Sequence, residues 1–320
     1  MTRRFWLSLL FALIVVPLAH AQSYPAKAVR IIVPYPPGAV GDIMIRTIGQ
    51  RLTEILGQSF VIENRAGGGG MAATEAVAKG PADGYTLLFN GPNHVTNLGL
   101  YPNVPYDPVA DFAPISYVSS SQTILVTHAS SGLKTMKELV DAAKAKPMAL
   151  NYASSGNGTG THLSMEMLMR ATAIELTHIP FKGATPAFTA LAAGQVQIGF
   201  TTPPLAKQFI TEGRLNAIAV GGAKRLTGFP NVPSLADLGL LNYDVEVWFG
   251  LLAPRGTPPA VVDLLAKETR RVLAEPGMPE KFDALGFTIV ASTPAEFDAH
   301  IRRETARWPK VIKELGIKGG

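Results

Sequence analysis

The feature that most constrains the fold of this chain is a repeated order of segments: a short apolar strand, a polar loop that contains glycine, and a helix. In the first copy, the apolar segment Val29–Val33 precedes a loop over residues 34–41, and Asp42 then begins a stretch whose apolar residues recur at helical spacing. The second copy, Asn151–Leu163, has glycines at positions 156, 158 and 160 and leads into another helical stretch. Strands that alternate with helices are typical of an α/β fold with mostly parallel sheets covered by helices.

Both loops join a strand to the start of a helix, and this position favours the binding of an anion. Glycine lets the backbone turn its N–H groups toward one point, and a helix N-terminus carries a partial positive charge. In the second loop, Ser154, Ser155 and Thr159 add hydroxyl groups. Two such loops that face each other would hold an anion from both sides. For residues 154–161 the simpler alternative is an ordinary flexible loop that ends in a helix cap.

The common nucleotide-binding signatures are absent or weak in this sequence. A Walker loop requires Gly-Lys, and no such pair occurs in the chain. Gly156-x-Gly158 begins a dinucleotide fingerprint, but the third glycine position holds Thr161. The looser match Gly67-x-Gly69-x-x-Ala72 is separated from its strand by residues 64–67. No cofactor is therefore expected.

The N-terminus has the three parts of a secretory signal in the correct order. Arg3 and Arg4 precede an apolar run over residues 5–18, and Ala19-His-Ala21 supplies the small residues of a cleavage site. We expect a signal peptide over residues 1–21 and a periplasmic mature protein. No later segment is long and apolar enough to cross a membrane.

Composition excludes several classes of function. The 320 residues include no cysteine, which excludes disulfides, thiol catalysis and a lipid anchor on an N-terminal cysteine. The net charge is +5, but Lys and Arg are scattered, so a nucleic acid partner is not expected. The six histidines show no paired spacing, which argues against a metal site. We expect a monomer.

The length of the mature chain, about 300 residues, predicts two lobes. The expected chain crossings assign residues 22–124 and 250–320 to lobe 1 and residues 125–249 to lobe 2. Residues Asn90–Asp107 are rich in Asn, Pro and Gly, which predicts an irregular surface loop. Capping patterns predict helix starts at Thr135-x-x-Glu138, Thr185-Pro186 and Thr293-x-x-Glu296. Further segments with strand character are 60–63, 85–89, 123–127, 176–180, 196–200, 215–220 and 245–252.

Short motifs occur in consistent order along nearly the whole mature chain. They include Tyr24-Pro-x-Lys27, Val61-x-Glu63-Asn-Arg-x-Gly-x-Gly69, Asp83-Gly-Tyr-Thr-Leu-Leu88, Asn151-Tyr-x-Ser-Ser-Gly156, His178-x-Pro-x-Lys-Gly183 and Trp248-x-Gly-x-x-Ala-Pro-x-Gly-Thr-Pro258. Together these motifs resemble the Bug-type solute receptors of tripartite tricarboxylate transport systems. The resemblance implies a two-lobed periplasmic binding fold of type II, the Venus-flytrap fold. It also implies a receptor without catalytic activity that closes on a small carboxylate for membrane transporter subunits or for sensing.

The resemblance implies that the loops over residues 35–42 and 154–159 hold the carboxylate through backbone N–H groups, hydroxyls and bridging water. Ala39 follows Gly38 where such receptors commonly have two glycines. Thr201 stands where members that bind amino acids carry an aspartate. Without that carboxylate an ammonium group would be buried unpaired, so we expect a non-amino organic acid, with dicarboxylates and aromatic acids as candidates. The predicted binding residues are Tyr35, Gly38, Ala39, Val40, Gly41, Asp42, Asn90, Ser154, Ser155, Gly156, Asn157, Thr159, His162, Thr201 and Thr202.

Several of these residues also have a simpler interpretation. Asp42 is explained by a helix cap, Tyr35 by an exposed loop aromatic, and His162 by a surface histidine. The alternative function is an exported serine hydrolase that uses Ser154 or Ser155 with His162. The sequence contains no Gly-x-Ser-x-Gly elbow for such a hydrolase, and no evident acid that would orient the histidine.

Overall fold

The computed structural model describes residues 24–240 and 246–317 as two α/β lobes, each with one sheet. The predicted signal peptide, residues 1–21, lies outside the described residues, as does Val245 of the last predicted strand. The strands are β1 (Val29–Val33), β2 (Phe60–Asn64), β3 (Thr86–Asn90), β4 (Phe112–Ser121), β5 (Ile124–His128), β6 (Asn151–Ser154), β7 (Thr177–Pro180), β8 (Ile198–Thr201), β9 (Leu215–Val220), β10 (Val247–Pro254) and β11 (Thr288–Ile289). The α-helices are α1 (Val40–Leu56), α2 (Met71–Ala78), α3 (Asn93–Leu100), α4 (Met136–Ala145), α5 (Gly160–Thr172), α6 (Ala184–Ala192), α7 (Pro203–Thr211), α8 (Pro259–Leu273), α9 (Met278–Ala284) and α10 (Pro294–Leu315).

The predicted two-lobed α/β architecture is confirmed, but both sheets are mixed and not mostly parallel. The first sheet has the order β11-β4-β10-β3-β1-β2, and only the pairs that β1 forms with β2 and β3 are parallel. The second has the order β7-β6-β8-β5-β9, and β5 runs antiparallel to both neighbours.

The crossings between the lobes explain the antiparallel pairs. Strand β4 leaves the first lobe and β10 re-enters it, so the two run in opposite directions and Ser121 lies opposite Val247. In the second lobe, β5 enters and β9 leaves, so these two strands also run in opposite directions and Ile124 lies opposite Val220. Sheet membership therefore changes between β4 and β5 and between β9 and β10. The predicted boundaries at 124/125 and 249/250 stay predictions.

The segment Asn90–Asp107 is not the irregular surface loop that its composition predicts. It contains α3, whose residues His94, Val95 and Thr96 are fully buried. This helix packs against α10. Some of its polar side chains bond inside the protein, as when Nε2 of His94 donates to the carbonyl oxygen of Pro108 at 3.0 Å, whereas Nδ1 of the same ring has no partner among the described residues. A buried helix with so many polar residues has no clear hydrophobic periodicity.

The predicted helix starts have different outcomes. The capping boxes of Thr135 with Glu138 and of Thr293 with Glu296 are confirmed. The predicted start at Thr185-Pro186 is wrong, since α6 begins at Ala184 after Gly183. Within the described parts of the chain, no helix combines the length and apolar composition needed to cross a bilayer.

Candidate ligand-binding site

A cavity of about 120 Å³ lies between the two lobes, at the ends of strands from both sheets. The first lobe contributes the loop before α1, the start of β10 and Phe287, which precedes β11. The second lobe contributes the segments that follow β6 and β8 and one face of α6. Because both lobes supply walls, a ligand in this cavity would contact the two halves of the molecule at once.

Several helices begin at this cavity. Lining residues include Ala39, Val40 and Gly41 at the start of α1, and Thr159, Gly160 and Thr161 at the start of α5. Gly183 and Ala184 add the start of α6, and Thr202 caps α7. The first N–H groups of a helix have no acceptor within the helix, and they carry its partial positive charge. The cavity therefore has a positive potential without a cationic side chain.

Residues with free backbone donors line the cavity from both lobes. Within the described residues, the N–H groups of Val40 and Gly41 donate to no protein acceptor, and neither do those of Gly160 and Thr161. A buried N–H group that is left unpaired costs free energy comparable to a lost hydrogen bond. These donors are suited to an anion placed between the two helix ends.

Glycine at the two helix starts allows close packing against β10, within the first lobe for Gly41 and between the lobes for Gly160. A Cβ atom on Gly41 would lie 2.8 Å from Cε1 of Phe249, and one on Gly160 would lie 2.8 Å from Cγ2 of Val247. Both distances are shorter than real Cβ contacts. Any larger residue at position 160 would push α5 of the second lobe away from β10 of the first.

The second loop is held by hydrogen bonds among its own hydroxyl groups. Oγ1 of Thr161 accepts from the N–H of Ser155 at 3.0 Å and lies 2.8 Å from Oγ of Ser155. Oγ1 of Thr159 donates to the carbonyl oxygen of Gly156 at 2.7 Å. The loop is therefore ordered by local bonds, and no histidine activates Ser155.

Tyr35 lines the cavity, and Asn90 positions it from behind. The hydroxyl of Tyr35 donates to Oδ1 of Asn90 at 3.1 Å, and Nδ2 of Asn90 donates to Oγ1 of Thr74 at 3.1 Å. Asn90 is fully buried and does not line the cavity. Burial raises the pKa of Tyr35, so its hydroxyl stays neutral.

Asp42 lies behind the first loop and outside the cavity lining, with 2% of its surface exposed. It is not the N-cap of α1, because Ala39 holds that position. Its carboxylate accepts from the N–H of Gly38 at 2.9 Å, from Nδ2 of Asn64 at 2.7 Å and from Nε of Arg46 at 3.0 Å. Burial alone would raise the pKa of Asp42, but these hydrogen bonds hold it below its usual value. The ionised side chain of Asp42 therefore stabilises the first loop.

Ser154 and His162 do not form the pair required by the hydrolase alternative. Oγ of Ser154 lies 2.6 Å from Nε2 of His178, whereas Nδ1 of His162 accepts from the N–H of Gly158 at 3.0 Å. The rings of His162 and His178 stack with centroids 4.2 Å apart. Burial, with a smaller contribution from His162, lowers the pKa of His178 to about 4. None of these three side chains lines the cavity, so they support the loop from behind.

The cavity adjoins an outer groove of about 480 Å³. Gly156 and Asn157 line only this groove, together with Lys182 and the run Gly67–Gly70. Gly38 lines neither space. The predicted residues that line the cavity itself are Tyr35, Ala39, Val40, Gly41, Ser155, Thr159, Thr201 and Thr202. Their role in binding stays a prediction.

The predicted binding residues omit several residues that line the cavity. Among them are Gly160 and Thr161, and also the aromatic residues Phe200, Phe249 and Phe287. Gly160 completes the run of glycines at 156, 158 and 160, which was a usable signal. The aromatic residues lie in apolar segments whose composition does not distinguish a cavity wall from the core.

No acidic or basic side chain is among the lining residues that the structure describes. The same part of the chain holds no group of three or more His, Asp or Glu residues that could bind a metal ion. The cavity therefore offers an anion only neutral donors and helix dipoles, and it offers an ammonium group no carboxylate partner.

Comparisons with known proteins agree with this geometry. The family model described as the tripartite tricarboxylate transporter family receptor matches residues 44–317. Protein BugT of Bordetella pertussis is 36% identical over 300 residues, which cover 93% of this chain and 92% of that protein.

Solved structures with the same fold include two that hold carboxylates. The R. palustris protein Rpa4515 with adipate has a TM-score of 0.84 and 34% identity, and the match covers 93% of this chain and 100% of that one. MatC from Rhodopseudomonas palustris with bound malate has a TM-score of 0.82 and 29% identity, over 90% of this chain and 100% of that one.

Proposed function

Because this chain belongs to the tripartite tricarboxylate transporter family of receptors, we propose that it captures one small non-amino carboxylate between its two lobes. The members of this family are binding receptors and not enzymes. One observation carries the proposal: Val40 and Gly41 from one lobe and Gly160 and Thr161 from the other line the same cavity, and their N–H groups donate to no described acceptor. A carboxylate with two oxygens would accept from both helix ends and so hold the lobes together.

The absence of acidic residues from the described cavity lining argues against an amino acid as the ligand. Thr201 lies at the end of β8, where the resemblance implies an aspartate in members that bind amino acids. Burial of an unpaired ammonium costs several kcal/mol, which would lower the affinity by a factor of a thousand or more. The adipate and malate held by related proteins support a carboxylate without an amino group.

The proposed receptor works outside the cytoplasm as a monomer. Residues 1–21 have the pattern of a cleavable export signal, and the bound acid would be passed to membrane subunits of the tripartite type or sensed. Expression of the full chain in a Gram-negative host tests the first step. We expect the exported form to begin at Gln22, and an uncleaved cytoplasmic product would contradict export.

Calorimetric titration and thermal unfolding of the exported protein test the ligand class. The panel is adipate, malate, benzoate, pentanoate, aspartate and inorganic phosphate. We expect at least one non-amino carboxylate to bind and to raise the free energy of unfolding, by about 2.7 kcal/mol at a hundred times its Kd. Tight binding of aspartate alone, or of phosphate alone, would contradict the proposal.

A matched pair of variants connects that binding to the cavity. Thr161→Val removes the hydroxyl that accepts from Ser155 and should weaken carboxylate binding by about tenfold, because the second loop loses its local bonds. Thr211→Val is the control, since this exposed hydroxyl bonds only the carbonyl oxygen of Lys207 on the outer side of α7. Equal affinities for the two variants would remove Thr161 from the site.

A further inference from the structure

The cavity has a mouth and a deep end that differ in chemistry. Tyr35, Ser155 and Thr159 line both the cavity and the outer groove, so the polar end beside the starts of α1 and α5 lies at the mouth. The first residues of these helices line only the cavity, but the loops that precede them also line the groove, whereas the segments around Thr202 and Phe287 contribute nothing to the groove and mark the deep end. A carboxylate at the mouth would therefore point the rest of its molecule inward.

An apolar wall connects the two ends. In the first lobe, the ring of Phe249 lies edge-on to Tyr35 with centroids 5.5 Å apart, and its centroid is 5.3 Å from that of Phe287. The second lobe faces this row with Leu191 and Phe200. Hydroxyl groups along the middle of a ligand would be buried there without partners, at about 1–3 kcal/mol each. The middle of the ligand is therefore apolar.

Two threonine hydroxyls at the deep end have no hydrogen-bond partner within the described residues. Thr123 is fully buried and Thr202 is 8% exposed, and both line the cavity. Ile124 of β5 pairs with Thr201 of β8, and the two strands are antiparallel. Thr123 precedes Ile124 and Thr202 follows Thr201, so the two threonines lie side by side. A polar group on the ligand would satisfy both hydroxyls after a change of their rotamers.

A second carboxylate does not fit the deep end. The described lining residues include no Lys, Arg or His, and α7 behind Thr202 begins with Pro203 and Pro204, which have no N–H group to donate. A buried carboxylate with two hydroxyl donors alone would pay a large desolvation cost. A neutral hydroxyl or carbonyl oxygen needs only the donors and acceptors that two threonines supply.

The sheet sets the length of the ligand. Strands β6, β8 and β5 are successive neighbours, so Ser155 after β6 and Thr123 before β5 are roughly 10 Å apart at the usual strand spacing. A hydrogen bond of about 2.8 Å at each end leaves about 4–5 Å between the polar oxygens of the ligand if both bonds lie along it, and up to about 7 Å if they meet it at an angle. Two to four methylene groups or a para-substituted benzene ring between the carboxylate and the distal oxygen span that range.

We propose that Thr123 and Thr202 select a monocarboxylate whose apolar body ends in a neutral hydroxyl or carbonyl group. This assignment rests on the proposed function, because it requires a carboxylate at the mouth of the cavity. It identifies the ligand class as short ω-hydroxy or ω-keto acids and para-hydroxylated aromatic acids. The assignment also gives this receptor a different ligand class from that of the relatives that hold adipate or malate.

Two matched series of acids test the assignment by calorimetric titration. The aliphatic series consists of pentanoate, 5-hydroxypentanoate and adipate. The aromatic series consists of benzoate, 4-hydroxybenzoate and terephthalate. Within each series, the acids differ only in the distal group. In at least one series, we expect the wild-type protein to bind the hydroxy acid about tenfold more tightly than the parent acid or the diacid. Thr123→Val and Thr202→Val should each remove about tenfold from the hydroxy acid and leave the parent acid unchanged.

Three controls separate selectivity from folding. Thr123→Ser and Thr202→Ser keep the hydroxyl and should keep the preference. The Val variants should unfold at the same or a higher temperature than the wild type, because each removes an unpaired buried hydroxyl. Thr211→Val should change neither affinity nor preference.

The possible failures are distinguishable. Equal binding of parent and hydroxy acids, tightest binding of a diacid, or an equal loss for every acid in the Val variants would overturn this assignment alone. An absence of binding by every acid would overturn the proposed function and the assignment with it.

Discussion

At the scale of single residues, buried histidines link the stability of this protein to pH. His94 in α3 is fully buried, and its ring lies against Phe112 with centroids 4.7 Å apart. Burial lowers the pKa of His94 from 6.5 to about 4, although the bond to Pro108 partly opposes the shift. Burial also lowers the pKa values of His178 and His300 to about 4. All three rings are neutral in the folded protein near pH 6.

The free energy of unfolding should therefore decrease as the pH falls from about 6.5 to about 4. In this window the unfolded chain takes up protons that the folded protein does not bind, and each pKa unit is worth about 1.4 kcal/mol. Between about pH 6.5 and 5, urea unfolding of His94→Phe should show a smaller pH slope than that of the wild type, because only the two shifted histidines His178 and His300 remain. Measurements at pH 8, above this window, give the cost of the substitution alone. An unchanged slope would contradict the assignment to His94.

The sequence indicated which loops form the cavity better than which side chains line it. Tyr35, Ser155 and Thr201 line the cavity, and their contact with a ligand stays a prediction. Asp42, Ser154 and His162 belong to the same loops, but their side chains point to Arg46, His178 and Gly158 behind the cavity. A loop motif fixes the path of the backbone, whereas the direction of each side chain depends on partners that are distant in sequence.

At the scale of elements, prediction succeeded where a local signal was strong. Strands β1 and β9 have the predicted bounds, and both capping boxes are present. Strand β4 was missed, because its polar end, residues 119–121, has none of the alternation of a strand exposed on one face. Ser116, Ser119 and Ser121 are buried by long-range contacts, as when the hydroxyl of Ser116 donates to the carbonyl oxygen of Ser292 at 3.0 Å. A short stretch of sequence gives no sign of such long-range pairing.

The two capping boxes allow a prediction about helices away from the cavity. Thr135 begins α4 and Thr293 begins α10, and each side chain accepts from the N–H of the glutamate three residues later. Thr135→Ala and Thr293→Ala should each lower the free energy of unfolding by about 1 kcal/mol, because one helix N–H group loses its acceptor. Urea unfolding measures this loss, and the matching Ser variants should restore most of it. Carboxylate affinity should stay at the wild-type value, and a large loss of affinity would connect these helices to lobe closure.

At the scale of the whole molecule, direct contacts between the lobes accompany the proposed ligand bridge. Oγ1 of Thr96 in the first lobe donates to the carbonyl oxygen of Gly158 in the second at 3.3 Å. Gly158 also packs against Leu100, which is 5% exposed. Lobe closure thus depends on the shape of the second loop as well as on its donors. A substitution that blocks this contact should weaken binding without removing any group that holds the ligand.

Gly158→Ala is such a substitution. A Cβ atom there would lie 2.1 Å from Cδ1 of Leu100, so the lobes could close only after Leu100 moves. Gly132→Ala is the matched control, since its φ is +72°, close to the +73° of Gly158, and nothing lies within 4 Å of a Cβ atom there. Both variants should lose about 1–2 kcal/mol of stability to the left-handed backbone. Only Gly158→Ala should weaken carboxylate binding, by about tenfold or more, as measured by calorimetric titration.

A second substitution separates steric blocking from backbone strain at the same site. Leu100→Ala removes the atoms that the new Cβ would meet, so Gly158→Ala/Leu100→Ala should bind more tightly than Gly158→Ala alone. It should nevertheless be less stable than either single variant, because a buried leucine has been truncated. Affinity and stability would then change in opposite directions, which backbone strain alone cannot produce. If the double variant binds no better than Gly158→Ala, the contact between Gly158 and Leu100 does not control closure.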